Sequence, residues 1–178
     1  MYKYISKYAL ILIVLLAPIS AFAAPEPKVH GSDVFFGYSR TGNDTFAKGA
    51  GGLNGWEGAL HIHFAPFLGG EADVSQYGLG SGSATPHTTD VLFGPRLTLK
   101  VLGVRPFAHV LAGVEHTANS GSATPVSNTG LSYALGGGVD IPIFPFFAWR
   151  FAGDRISSTE SPAEGTKARF TTGLAFRF

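Results

Sequence analysis

Apolar and polar residues alternate along most of this chain, in eight segments bounded by Gly, Pro, Ser, Thr or Asn. Side chains of a β-strand point alternately to its two faces, so a period of two predicts a strand with one apolar and one polar face. The predicted strands are 32–40, 55–64, 68–77, 88–99, 105–116, 130–140, 147–156 and 167–178. This order predicts an all-β protein.

The connections between the predicted strands alternate in length. The long ones, rich in small and polar residues, are 41–54, 78–87, 117–129 and 157–166, and the short ones are 65–67, 100–104 and 141–146. In an up-and-down barrel, alternate connections lie at the same end. Long loops at one end and tight turns at the other are typical of outer-membrane barrels. We therefore expect an eight-stranded antiparallel up-and-down transmembrane β-barrel.

The alternation alone does not decide which face of the sheet is outside. In the last predicted strand, Phe170, Leu174 and Phe176 alternate with Arg169 and Arg177. A membrane barrel turns the apolar set toward lipid. A soluble exported barrel of the lipocalin type, carrying a ligand inside, would turn it inward and is the leading rival.

Aromatic residues at the strand ends favour the membrane arrangement. They form two groups, as in the interfacial belts of membrane proteins. We assign to these belts Tyr38, Trp56, Tyr77 and Tyr133 at the long-loop end, and Phe64, Trp149 and Phe178 at the short-turn end. The polar faces are also poor in lysine, unlike a surface exposed to water. The last strand ends on an aromatic residue, which agrees with the same arrangement.

The composition agrees with a membrane protein that crosses with strands. Charged residues make up 14% of the chain, below the roughly 25% of soluble domains. No run of 18 apolar residues follows the first 23 residues, and a barrel needs none, because only alternate residues face lipid. With 13 Lys+Arg against 12 Asp+Glu, the charge gives no argument for nucleic-acid binding. The absence of cysteine excludes thiolate chemistry.

The first 23 residues have the pattern of a secretory signal peptide. Lys3 and Lys7 precede an apolar core at 9–17, and Ala21-Phe22-Ala23 supplies small residues at the spacing of a cleavage site. The core is shorter than the roughly 20 residues that span a bilayer, which disfavours a membrane anchor. We expect a signal peptide at 1–23 and a barrel domain at 24–178.

Several motifs occur in an order that resembles the small eight-stranded outer-membrane β-barrel proteins, which are related in fold to the membrane domain of outer-membrane protein A. The matching stretches are LNGW at 53–56, LGGEAD at 68–73, FGPR at 93–96, PFAHVLAG at 106–113, LGGGVD at 135–140 and RFTTGLAFRF at 169–178. The resemblance implies a place in the bacterial outer membrane and contact with its lipid. It also implies recognition by the barrel assembly machinery through the strand that ends at Phe178.

Charged and polar side chains are expected to fill the interior of the barrel. The inward set comprises Glu57, His61, His63, Glu71, Asp73, Arg96, Arg105, His109, Glu115, Asp140, Arg150, Arg169 and Arg177. An eight-stranded barrel is only wide enough inside for side chains, and buried charges must pair. We expect a sealed polar core and a structural or surface-interaction role, with a narrow gated pore as the alternative. The sequence indicates no ligand for the surface loops.

Two candidate chemical sites are weaker. His61 and His63 form an H-x-H on one strand face, about 7 Å apart by strand rise, and are expected to line the interior without binding a metal or cofactor. Some barrels that resemble this one modify lipid A, which requires a nucleophile, a base and an orienting acid. His30-Gly31-Ser32 is the one His-x-Ser in the sequence, directly after the predicted signal peptide, so we expect no enzymatic activity.

Overall fold

A closed antiparallel barrel forms the whole described part of the chain. The computed structural model describes residues 31–42, 52–78, 87–119, 126–159 and 166–178. The strands are β1 (Asp33–Gly42), β2 (Leu53–His63), β3 (Leu68–Tyr77), β4 (His87–Thr98), β5 (Arg105–Asn119), β6 (Val126–Phe144), β7 (Phe147–Ser158) and β8 (Lys167–Arg177). Each strand pairs with its neighbour in sequence, and β8 pairs with β1. The predicted eight-stranded antiparallel barrel is confirmed.

One strand is considerably longer than its sequence predicts. β6 extends past both predicted bounds, 130 and 140, so the connections predicted at 117–129 and 141–146 are partly strand. The polar residues at the start of β6 pair with β5. This pairing uses backbone hydrogen bonds, which polar side chains do not prevent. Near its end the register shifts between Pro142 and Phe144, and such a bulge accommodates a residue that lacks an N–H.

The short connections are tight turns at one end of the barrel. Val101 and Val104 exchange both backbone hydrogen bonds at 2.9 Å. Between them, Leu102 and Gly103 have φ angles of 50° and 85°, which is the two-residue hairpin turn that matches strand twist. The strand ends that the four long connections join lie at the opposite end. Most residues of these connections, like the predicted signal peptide and His30, lie outside the described residues. No helix in the described part of the chain is long and apolar enough to cross a membrane.

The faces of the sheet have the orientation of a membrane barrel. On the outside, Leu60 is 40% exposed, Phe93 67% and Leu174 45%. On the inside, Arg96 and Arg169 are each 1% exposed. A soluble barrel of the lipocalin type requires the reverse arrangement, so that alternative is wrong.

Two glycines allow the barrel to close between β1 and β8. Gly37 pairs directly with Gly173. A Cβ on Gly173 would collide with the Gly37 Cα and with the Phe36 carbonyl oxygen. The absence of a side chain at both positions therefore permits the close approach that joins the first strand to the last.

Replacing Gly173 by alanine is expected to lower the free energy of unfolding by about 1–3 kcal/mol, because the added methyl group forces the two strands apart. Urea-induced unfolding in detergent micelles measures this change. Gly153→Ala on the neighbouring strand β7 is the control, since a Cβ there has only the Arg169 carbonyl oxygen within 4 Å, at 3.9 Å. Coincident unfolding curves for the two variants would contradict the role of this close contact.

The charged interior as the candidate functional site

The predicted inward residues lie on the interior face of the barrel. Those that are buried are Glu57, His61, Glu71, Asp73, Arg96, His109, Glu115, Asp140, Arg150, Arg169 and Arg177. His63 and Arg105 are partly exposed, near the short turns. Because inward residues alternate along every strand, the closed sheet brings side chains from distant parts of the sequence into one narrow space.

Two arginines organise the part of the interior nearest the short turns, here called the lower cluster. Arg150 donates from Nε to Asp140 Oδ1 and from Nη2 to Asp33 Oδ1, both at 2.7 Å. Arg96 donates from Nη1 to Glu71 Oε2 at 3.1 Å and from Nη2 to Asp140 Oδ2 at 3.3 Å. Asp140 thus bridges the two guanidinium groups with charge-assisted hydrogen bonds, the stronger kind of hydrogen bond.

Two buried aromatic rings support these arginines. The Arg96 guanidinium carbon lies 3.7 Å from the centre of the Phe107 ring, and that of Arg150 lies 5.0 Å from the centre of the Phe35 ring. A cation over an aromatic face is stabilised by the ring quadrupole, more strongly when both are desolvated. The rings also fill volume between the ion pairs, which leaves less space for water in the lower cluster.

A third arginine organises the upper cluster, nearer the long loops. Arg169 donates from Nε to Asp154 Oδ2 at 2.6 Å and from Nη1 to Asp73 Oδ1 at 3.0 Å. Its Nη1 also lies 3.4 Å from Glu57 Oε2. The Thr171 hydroxyl donates to the same Glu57 oxygen at 2.7 Å. One fully buried guanidinium therefore holds three carboxylates together.

One histidine connects the two clusters. His109 Nε2 lies 2.8 Å from Asp154 Oδ1, and its Nδ1 lies 3.3 Å from Glu71 Oε2. Asp154 belongs to the upper cluster and Glu71 to the lower one, so the ion pairs form one continuous network. All eight strands contribute to this interior network, through Asp33, Glu57, Glu71, Asp73, Arg96, His109, Asp140, Arg150, Asp154 and Arg169.

Comparison with known proteins identifies the fold. No protein-family profile matches the sequence, and no curated protein matches it. Among solved structures, the chain is similar to Ail, the attachment invasion locus protein of Yersinia pestis, with a TM-score of 0.56 and 16% identity over 83% of this chain and 97% of Ail. This chain has the fold of the small outer-membrane β-barrels.

Two further structures agree with that assignment. Neisserial surface protein A has a TM-score of 0.60 and 9% identity, with coverage of 83% of this chain and 96% of that one. The N-terminal β-barrel domain of OprF from Pseudomonas aeruginosa has a TM-score of 0.59 and 16% identity, with coverage of 85% and 100%. At such low identities the similarity establishes the outer-membrane barrel fold and leaves the function to be argued from the site.

One residue predicted for an aromatic belt lies inside the barrel instead. Tyr77 is assigned above to an aromatic belt, but its side chain points inward and is 1% exposed. Its hydroxyl lies 3.1 Å from Ser39 Oγ. Tyr77 lies four positions after Asp73 on the same strand and therefore shares its inward face. The remaining predicted belt residues are outward and at least partly exposed: Tyr38, Trp56, Tyr133, Phe64, Trp149 and Phe178.

Three inward acids were missed by the sequence prediction. Asp33 and Asp154 belong to the network described above, and Asp90 faces Glu115 across the β4–β5 pair. The sequence alternation indicates two of them. Asp154 lies an even number of residues from Arg150 on β7, and Asp90 lies an even number of residues from Arg96 on β4, so each pair shares a face. Lys167 Nζ approaches Glu115 Oε2 at 3.8 Å, which extends the charged lining toward the long loops.

Proposed function

We propose that this chain is a bacterial outer-membrane protein with a structural or surface-interaction role, in which a closed barrel supports the four long connections at one end. The observation that carries the proposal is the interior network, which joins all eight strands. The apolar outer face supports contact with outer-membrane lipid. The long connections are the candidate surface for an interaction, whose partner the chain does not identify.

The interior network supports a closed barrel rather than an open pore. The side chains of Arg96 and Arg169 are 0% exposed and that of Arg150 is 2% exposed. Arg169 on β8 reaches Asp73 on β3, nearly across the barrel. A permeating ion would have to separate such pairs. Removing one partner of a buried pair is strongly destabilising, by about 3–5 kcal/mol.

The folded protein is expected to remain silent in planar lipid bilayers, because opening a path through the barrel would require the buried ion pairs of the interior network to separate. The measurement is single-channel recording in concentrated KCl. Folding and insertion are established beforehand by the mobility shift of the unboiled protein on a gel and by co-flotation with vesicles. Discrete conductance steps from inserted protein that change in Arg96→Met would support the gated-pore alternative and contradict the closed barrel.

The last strand of the barrel is the proposed contact with the assembly machinery. The Phe178 backbone N–H donates to the Ser32 carbonyl oxygen at 3.0 Å, and Phe178 is 61% exposed on the outside, which supports recognition of the last strand by the assembly machinery. Undiminished membrane insertion of Phe178→Ser in cells would contradict that step.

The proposed role is not enzymatic. Hydrolysis or acyl transfer on lipid A by purified protein would contradict this part of the proposal.

A further inference from the structure

Two histidines at the short-turn end lie face to edge beside the interior network. The ring centroids of His61 and His63 are 4.2 Å apart, with an angle of 62° between the ring planes. Residues two apart on a strand are separated by about 7 Å along the backbone, so the two rings lean toward each other. The H-x-H of the sequence is therefore a close pair of imidazoles.

Each ring has one nitrogen with no hydrogen-bond partner. His61 Nδ1 lies 3.0 Å from Asp33 Oδ2, while His61 Nε2 and His63 Nδ1 are buried and unpartnered. A buried polar atom without a partner costs about 1–3 kcal/mol, so two such atoms in adjacent rings call for a physical explanation.

A glycine on the neighbouring strand locates the free nitrogen of His61. Gly69 pairs directly with His63 in the β2–β3 register. A Cβ on Gly69 would collide with His61 Nε2. The unpartnered Nε2 therefore lies over Gly69, directly across the strand pair from His63, and the missing side chain of the glycine leaves room for it.

Contrary to the expectation from the sequence, we propose that His61 Nε2 and His63 Nδ1 together bind a divalent transition-metal ion, with Cu²⁺ preferred over Zn²⁺. Imidazole nitrogens suit Cu²⁺, Ni²⁺ and Zn²⁺, whereas Mg²⁺ and Ca²⁺ require oxygen ligands, and the affinity of such sites is highest for Cu²⁺. This proposal does not depend on the proposed function.

The carboxylate of Asp33 prepares His61 for this role. It accepts a hydrogen bond from Nδ1–H, which fixes the tautomer in which the lone pair is on Nε2. This carboxylate–histidine arrangement is the one that orients metal-binding histidines in proteins. Asp33 is held in turn by Arg150, which donates to its Oδ1 at 2.7 Å.

The site is an open one with two protein ligands. The described residues contain no group of three or more His, Cys, Asp or Glu side chains that could hold a metal ion. Water would complete the coordination, and the partial exposure of His63 gives access from the short-turn end. We therefore expect an exchangeable ion rather than one required for folding.

Titration of Cu²⁺ into tag-free, folded protein in detergent micelles tests the proposal, with calorimetry for affinity and electron paramagnetic resonance for ligand type. We expect one equivalent of Cu²⁺ to bind, with nitrogen coupling from the imidazole ligands. His63→Gln is expected to weaken binding roughly tenfold or more. His116→Gln is the control, since His116 is exposed near the opposite end and its Nδ1 contacts Thr129 Oγ1 at 2.7 Å, and it should bind as the parent does. Parent-like binding by His63→Gln would overturn the site.

A second measurement on the parent protein decides the question even if a variant does not fold. Substoichiometric Cu²⁺ broadens the ring signals of histidines near the bound ion in nuclear magnetic resonance spectra. Earlier broadening of His61 and His63 than of His87 and His116 supports the site. Equal broadening, or earlier broadening of His87 or His116, contradicts it.

Discussion

Replacing Arg169 by methionine is expected to lower the free energy of unfolding of the barrel by about 3–5 kcal/mol. Arg169 donates to Asp154 and Asp73 at 2.6 and 3.0 Å, and Glu57 lies 3.4 Å away. Without the guanidinium, three carboxylates face one another in a space from which water is largely excluded. The cost is mainly that of uncompensated buried charge, which exceeds the attraction that is lost.

Urea unfolding in lipid vesicles, followed by tryptophan fluorescence and by gel mobility of unboiled samples, measures this effect. Arg155→Met is the matched control, because Arg155 lies on β7 with its side chain exposed on the outer face. Substitutions at such positions usually change stability by less than about 0.5 kcal/mol. If both arginine variants unfolded at the same urea concentration, the upper cluster would not stabilise the barrel as described.

Placing an arginine at Val74 is expected to lower the free energy of unfolding by about 2–4 kcal/mol in lipid vesicles. Val74 lies near the middle of β3, a strand of 10 residues, which is the length that spans a bilayer when tilted. Its side chain is 39% exposed on the outer face. The charged group would therefore face acyl chains near the centre of the membrane.

The matched control for this substitution is Leu102→Arg. Leu102 is 100% exposed at the tip of a short turn, where the added charge faces water. We expect its unfolding curve to coincide with that of the parent. Equal destabilisation by the two arginines would contradict the assignment of Val74 to the lipid-facing surface.

The fold follows from local features of the sequence. The alternation of apolar and polar residues predicts the strands because it depends only on the geometry of each one, and β3 has the bounds predicted for it. The same alternation indicates that Asp154 shares a face with Arg150. It also places Tyr77 inward, and the aromatic-belt prediction for this residue was wrong because it favoured residue type over position in the strand.

The partners in the interior network do not follow from the sequence. Arg169 and Asp73 are 96 residues apart in sequence, and they meet because of the tilt and stagger of the closed sheet, which link strands that are not neighbours. Phe35 and Phe107 also point inward, although most aromatic side chains of the described strands lie on the outer face. Their inward place goes with the guanidinium groups of Arg96 and Arg150, which lie over their rings.

The most direct test asks which aliphatic side chains touch lipid. In nanodiscs, nuclear Overhauser effects from acyl-chain protons to side-chain methyl groups measure this contact without any mutation. We expect strong effects for Leu60, Ile62 and Leu174, and none for the inward Leu92, Leu111 and Ile156. Lipid contacts to the second group, together with mutual contacts among the first, would show that the faces are reversed and would contradict the account.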